Sequence, residues 1–442
     1  MDAPHRPHRA RRGGPGRCAV PHAWLLAAVL VWPGPTSAAA QPPDPAPAAG
    51  QHPKQTAEPG EDDVDVLDVL GKLRHREESV DAPDEPWDPG KPMLAVAPII
   101  GYKPSTGTVI GAASQLAVYF GDPQTTRISS AVMSLTFSSK KQTSITARFG
   151  TFTRDDVLRV EGDNRFQWTS QDSYGLGTST SPSDSVNARF NYFRIFETVF
   201  YELREGLFAG VGAHFSAHTD IRPGQGADAA WNDSTFVEYS QRNGFDASSQ
   251  TSAGVSLNLL VDTRDNPINA SRGWLASASY RPFFKDVLGG DSTWQELLLD
   301  VRAFKRVSQR RRHTLAVWLY GDFVTNGTAP YFDLPTIGMD TYGRSGRGYV
   351  EGRFRGERLL YGEVEYRATL TRNGLLGMVA FASTSTYSNL QNDERLFDSF
   401  APAGGAGLRL LFNKRSRANL CLDVAWGQQG SRGVYLALQE AF

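Results

Sequence analysis

Gly343 to Arg367 reads GRSGRGYVEGRFRGERLLYGEVEYR. The first half is too rich in Gly and Arg for a regular strand interior, whereas the second half alternates with a period of two. Leu360, Gly362, Val364, Tyr366, Ala368 and Leu370 fall on one face, and Tyr361, Glu363, Glu365, Arg367 and Thr369 on the other. Successive strand side chains face opposite sides, so one face is apolar and the other carries two carboxylates and a guanidinium. A soluble sandwich turns the apolar face inward. A membrane barrel turns it to lipid and points the charges into a wet lumen.

Other segments favour the barrel. Ile145, Ala147 and Phe149 alternate with Ser144, Thr146 and Arg148, and Leu297, Leu299 and Val301 alternate with Glu296, Leu298, Asp300 and Arg302. Leu420, Leu422, Val424 and Trp426 alternate with Asn419, Cys421, Asp423 and Ala425. Burying so many charges in a dry core would cost several kcal/mol per ion even when paired. From Met93 to Phe442 the chain divides into about sixteen segments of roughly 10 to 15 residues, the length of a tilted barrel strand. The first is expected over 93–102 and the last over 432–442. Short gaps such as Arg204-Glu205, Arg372-Asn373-Gly374 and Asn413-Lys414-Arg415 follow even-numbered segments. The long gaps 171–184, 219–249, 326–357 and 387–400 follow odd-numbered ones, and that segregation is typical of transmembrane barrels.

The N-terminus points to export. Five arginines precede the apolar run Ala23–Trp32, and Ala38-Ala39-Ala40 offers a cleavage site, so residues 1–40 read as a signal peptide. The chain has 46 Lys and Arg against 47 Asp and Glu; losing five Arg and Asp2 leaves 41 against 46, a net charge of −5. That balance argues against nucleic acid as a partner. Cys18 leaves with the signal, so Cys421 has no intrachain disulfide partner. Residues 41–92 read as a Pro-rich linker. Within it, 62–78 is expected to form a short helix with Val66, Val69, Leu70 and Leu73 on one face. Residues 93–442 form the barrel domain.

Two motifs resemble the BamA/TamA outer-membrane superfamily, known too as bacterial surface antigen. Leu260–Trp274 (LVDTRDNPINASRGW) is similar to that family's turn after strand eight, with Asp262, Arg264, Asp265, Asn266, Pro267 and Gly273 in place. Gly346-Arg347-Gly348-Tyr349 resembles its motif in the sixth outer loop, and Gly404–Phe412 (GGAGLRLLF) a further strand motif. The resemblance implies that the loop folds into the lumen and that Arg347 docks on the wall. Phe381 keeps the family's aromatic partner, but Ser383 stands where an Asp is usual, and Glu363, Glu365 or Asp423 are the candidates to replace it. Val434, Leu436, Leu438 and Phe442 are expected on one face of the last strand, resembling a carboxy-terminal insertion signal from which Glu440 departs. Residues 41–92 are too few for a POTRA domain, so the chain resembles short members of the superfamily without that arm.

The implied function is assistance to protein or lipid insertion or translocation at the bacterial outer membrane, with a passive porin-like channel or structural barrel as the alternative. The implied surroundings are outer-membrane lipids with lipopolysaccharide outside, the assembly machinery during insertion, and a separate periplasmic partner. No enzyme, cofactor or metal site is expected. The barrel region holds only His214, His218 and His313 as imidazoles, Ser345 lacks a Gly-x-Ser-x-Gly frame, and Asp393, Glu394 and Asp398 read as a solvated loop.

Overall fold

The computed structural model describes residues 63–69, 91–103, 107–308, 312–340 and 343–442. The expected signal peptide and most of the 41–92 segment lie outside the described residues. Sixteen strands follow one another in a single sheet in which each pairs antiparallel with the next. They are β1 (Met93–Lys103), β2 (Gly107–Val118), β3 (Ser129–Ser138), β4 (Thr143–Phe152), β5 (Leu158–Ser173), β6 (Val186–Arg204), β7 (Leu207–Pro223) and β8 (Gln250–Asp262). The second half comprises β9 (Gly273–Phe283), β10 (Trp294–Ser308), β11 (His313–Gly327), β12 (Arg358–Thr369), β13 (Leu376–Tyr387), β14 (Ala401–Asn413), β15 (Ala418–Gly427) and β16 (Arg432–Ala437). This is a transmembrane antiparallel β-barrel, and its nearest-neighbour order leaves only β1 and β16 as edges.

The alternation places side chains as a barrel in lipid requires. Leu257, Leu319 and Val211 are exposed on the outside, the last by 62%. Glu363 and Glu365 on β12 are buried inside. Trp168 and Trp426 lie toward the long-loop end and Trp274 and Tyr201 toward the short-turn end, all four exposed, as in the aromatic girdles at membrane interfaces. Strand boundaries match the expected segments to within a few residues apart from β7, which runs past the expected 218 to Pro223, and two further exceptions. β3, whose sequence segment is expected over 125–138, begins at Ser129, because Asp122 holds a turn: its side chain accepts from Gln124 N (2.8 Å) and its carbonyl from Thr126 N (2.7 Å).

The second exception is a correction to the last strand. β16 stops at Ala437, and residues 438–442 turn into the lumen. Leu438 and Phe442 are buried, not facing lipid as an insertion signal would. The Phe442 ring packs on Trp318 (5.2 Å between centroids) and Phe304 (6.0 Å), and its carbonyl accepts from Arg367 Nη2 (2.9 Å). Glu440, out of place in a lipid-facing strand, accepts from Arg409 Nε (2.7 Å) and Asn419 Nδ2 (2.8 Å). A carboxylate that finds two donors inside gains far more than it would beside lipid.

The long-loop end is closed by a dome of apolar side chains. Loop 224–249 carries a helix, α1 (Thr235–Asn243), N-capped by Ser234 Oγ and ended by Gly244 at φ 74°. Phe236 of α1 packs on Tyr331 (5.5 Å) and Phe332 (5.0 Å) of the loop before β12, with Tyr192, Trp294 and Leu334 in the same cluster.

Candidate functional site

The loop from 328 to 357 descends inside the barrel and carries Arg347 to the wall. Its fold is locally specified. Asp340 accepts from the N–H groups of Arg344 (3.0 Å) and Ser345 (2.8 Å), and Arg165 Nη2 donates to the Asp340 carbonyl (2.8 Å). Gly346 has φ 73°, and a Cβ there would stand 2.7 Å from Ile337 Cδ1. Gly348 has φ 104°, and a Cβ would stand 3.0 Å from Ala403 Cβ and from the Trp426 carbonyl. Only glycine lets the loop press its backbone against β14 and β15 in this conformation.

Arg347 is 2% exposed and bridges two separate parts of the wall. Its Nη1 donates to Asp423 Oδ2 on β15 (2.7 Å), and its Nη2 to Glu363 Oε1 (2.5 Å) and to Glu365 on β12. The guanidinium carbon lies over the Phe381 ring, 3.6 Å from its centroid. Arg347 thus reaches all three of the candidate acids, and Ser383 sits opposite Glu363 in the β12–β13 register. The ion network extends further. Arg367 Nε donates to Glu365 Oε2 (2.8 Å), Arg409 Nη1 to Asp423 Oδ1 (2.5 Å), and Tyr361 OH to Glu363 Oε2 (2.5 Å). Three guanidiniums and four carboxylates, counting Glu440, thus link the loop, three strands and the inward tail.

Tyr349 completes the docking. Its hydroxyl donates to the Pro402 carbonyl (2.6 Å) and accepts from Gln428 N (2.9 Å). Tyr435 on β16, which sequence reasoning did not single out, bridges loop and last strand: its hydroxyl accepts from Gly348 N (2.9 Å) and donates to the Tyr349 carbonyl (3.2 Å). A lone tyrosine among lipid-facing residues was the available signal, since Tyr435 falls on the opposite parity from Val434 and Leu436.

The Asp262–Gly273 motif is a structural turn at the short-turn end. Arg264 chelates Asp262 through Nε (2.9 Å) and Nη2 (2.8 Å), and Arg159 Nη1 adds a third bond (2.9 Å). Asn266 Oδ1 accepts from Ile268 N and Asn269 N (both 2.8 Å), and the Pro267 carbonyl accepts from Arg264 Nη1 (3.4 Å). Gly273 has φ 89°, and a Cβ there would stand 2.2 Å from the Thr263 carbonyl oxygen. Asp265 accepts from Ser271 N (2.7 Å), Ser271 Oγ (2.7 Å) and Arg417 Nη1 (3.0 Å), tying this turn to the one between β14 and β15.

Burial alone would raise the Asp265 carboxyl, but Arg417 and the donors of Ser271 and Arg272 outweigh it and hold the group below the usual carboxylate range. A folded value depressed below the unfolded one of about 3.9 stabilises above that pH and is lost as pH falls through the folded value. Asp265→Asn is expected to cost about 1–3 kcal/mol at pH 7. In urea titrations that difference from the unmodified chain should shrink as pH is taken below about 4.

The barrel imidazoles are packing groups or edge groups. His218 stacks on Tyr192 (4.5 Å), His214 meets Phe196 edge-on (4.5 Å), and His313 Nδ1 shares a hydrogen bond with Tyr366 OH (2.5 Å). Glu394 is taken up by loop 174–180, accepting from Thr178 N (3.0 Å) and Ser179 Oγ (2.9 Å). No group of three or more metal-ligating side chains is assembled among the described residues.

No protein-family model matches the chain, and no curated protein matches it. Among solved structures it is similar to BamA from Haemophilus ducreyi lacking POTRA domains 1–3, with a TM-score of 0.51 and 11% identity over 78% of this chain and 70% of that one. CdiB from Acinetobacter baumannii aligns at a TM-score of 0.48 and 10% identity over 79% of this chain and 60% of that one. The outer-membrane capsule-assembly protein Wzi from Escherichia coli aligns at 0.28 and 9% identity, covering 78% and 82%. At these identities the likeness to BamA concerns the fold alone, and the other two scores carry no argument. The fold is that of a sixteen-stranded BamA-like transmembrane barrel.

Proposed function

We propose that this protein is a bacterial outer-membrane barrel that assists insertion or translocation of protein or lipid through a seam between β1 and β16. The long loops then face outward, and the short turns and residues 63–69 lie in the periplasm. Among the described residues no hydrogen-bonded ladder joins β16 to β1, and this one observation carries the reading. The edges are unequal: β1 spans eleven residues and β16 six. Unpaired backbone groups are costly in hydrocarbon, so such an edge is a template for an incoming strand. A cavity of about 370 Å³ lies along the seam, with Pro98, Ile99 and Ile100 of β1 on one lip and Val434, Leu436 and Ala437 of β16 on the other. Its inner wall is polar, including Arg165 and Arg344, which suits an amphipathic client.

The channel alternative has less support, since the dome and the docked loop both fill the lumen. The assembly machinery, lipopolysaccharide outside and a separate periplasmic partner belong to the same proposal, as does a role without catalysis. Ile99→Cys and Leu436→Cys, joined by a short bis-maleimide, test it. The joined barrel should lose all acceleration of client-barrel folding in liposomes, while the unjoined double variant keeps it. Undiminished acceleration by the joined barrel would remove the seam from the mechanism. Cys421, 2% exposed, should stay unlabelled.

A further inference from the structure

The short-turn mouth of the barrel holds an acidic hook. Arg312 Nη1, in the turn before β11, donates to both carboxylate oxygens of Asp63 (2.6 and 2.8 Å). Val64 N donates to the Asn373 carbonyl (3.0 Å), in the turn between β12 and β13. Lys414, between β14 and β15, donates its backbone N–H to Asp65 Oδ2 (2.9 Å) and its Nζ to Asp68 Oδ2 (2.8 Å). Three turns thus hold a backbone N–H and three carboxylates at once, on a segment that winds into a helical turn in which Asp65 Oδ1 accepts from Asp68 N (2.9 Å) and Asp68 Oδ2 from Asp65 N (3.0 Å). Residues 66–69 are helical, as expected, and 70–78 lie outside the described residues; the hook buries its acids Asp63 and Asp65, while Val69 of the expected apolar face is 37% exposed.

Above the hook lies a cavity of about 300 Å³ whose walls include Arg306, Arg312, Arg367, Arg409, Lys414 and Arg417. Arg367, Arg409 and Arg417 have acidic partners in Glu365, Glu440 and Asp265. The hook supplies the counter-charge for Arg312 and Lys414. Arg306 donates to Ser271 Oγ (2.6 Å), but its buried Nε has no hydrogen-bond partner among the described residues. Arg367, 8% exposed, also lines the cavity, and its buried Nη1 has no hydrogen-bond partner among the described residues. Unpartnered guanidinium N–H groups beside a bound carboxylate mark a surface with further capacity for acceptors.

We infer that this vestibule is a docking site for an acidic peptide, occupied in cis by Asp63–Asp68 and in trans by an acidic stretch of a second protein. The N–H that Val64 donates to the Asn373 carbonyl favours a peptide over a phosphate, which has no donor to offer there. The second protein's place in the periplasm rests on the orientation proposed above, but binding itself does not depend on whether the seam opens. A tethered occupant competes at an effective concentration in the millimolar range, so a free peptide should bind poorly until the hook is disarmed.

The probe is a fluorescein-labelled peptide with the sequence of residues 61–70, titrated by anisotropy against the full chain in detergent. The variant Asp63→Asn/Asp65→Asn/Asp68→Asn should bind it at least tenfold more tightly than the unmodified chain, and adding Arg312→Glu and Lys414→Glu should remove that gain. Asp63→Asn alone should give part of it, which guards against misfolding of the triple variant, and heat-modifiable migration on a gel checks each fold. A peptide of shuffled order should bind several-fold more weakly. Equal binding to native and disarmed chains, or none to a folded disarmed chain, overturns the inference. Displacement by inorganic phosphate or phosphatidylglycerol vesicles at matched charge also overturns it, since the mouth would then read charge alone.

Discussion

Arg347→Ala will release the loop from the wall, raise single-channel conductance in planar bilayers and open residues 343–357 to protease. The guanidinium makes three charge-assisted bonds, to Asp423, Glu363 and Glu365, each worth about 1.5–3 kcal/mol. Breaking a buried ion pair from one side costs about 3–5 kcal/mol, because the remaining charge is stranded. The stranding here is uneven. Asp423 retains Arg409 and Glu365 retains Arg367, whereas Glu363 is left with the Tyr361 hydroxyl. Glu363→Gln should therefore rescue part of the urea resistance lost in Arg347→Ala while leaving conductance high. Arg347→Lys should restore little, since an ammonium cannot span β12 and β15 as a planar fork. Ser383→Ala should stay close to the unmodified chain. Unchanged conductance and an unchanged protease pattern in Arg347→Ala would show that the loop is held by the apolar dome alone.

The alternation that carried the barrel architecture is a local property, which is why it reads from single segments such as Leu360–Leu370. What it cannot report is where an apolar parity stops meaning lipid. Val434, Leu436 and Leu438 keep period two, yet Leu438 has already left the sheet, drawn by residues such as Trp318 and Arg409 that lie far away in sequence. The Glu440 mismatch with a lipid-facing strand was the trace of that bend. Arg347 was legible only through the resemblance of its Gly-Arg-Gly-Tyr frame to a family motif, and its partners were legible as inward charges, but which of them it would reach depends on how β12 and β15 face each other across the lumen. Helix α1 and the dome were missed within a stretch read as loop, although Ser234 before Phe236, Val237 and Tyr239 is a capping signal. Of the expected 62–78 helix, 66–69 are helical and 70–78 lie outside the described residues; what the sequence reading did not weigh is the turns carrying Arg312 and Lys414, which hold Asp63 and Asp65.

Phe442→Ala will destabilise the folded barrel even when it is refolded from urea into detergent with no assembly machinery present. A residue acting only as an insertion signal would matter in cells and not in that tube. Here the ring fills a niche formed by Trp318 and Phe304, under the Arg367 guanidinium at 5.2 Å. Phe→Ala in a packed site costs about 3–5 kcal/mol through lost transfer energy and the cavity left behind. The tail should then fray and withdraw Glu440 from Arg409, loosening the short-turn half of β16 beside the seam. Two readouts distinguish a lumenal anchor from a signal: the urea midpoint of refolded protein, and cysteine labelling at Leu436→Cys, which should quicken in Phe442→Ala. Phe442→Leu should fall between the two, keeping apolar volume while losing the stacking and the cation–π contact. If refolded Phe442→Ala matches the unmodified midpoint and labelling rate, the inward tail contributes nothing to closing the barrel. The seam would then owe its looseness to the six-residue length of β16 by itself.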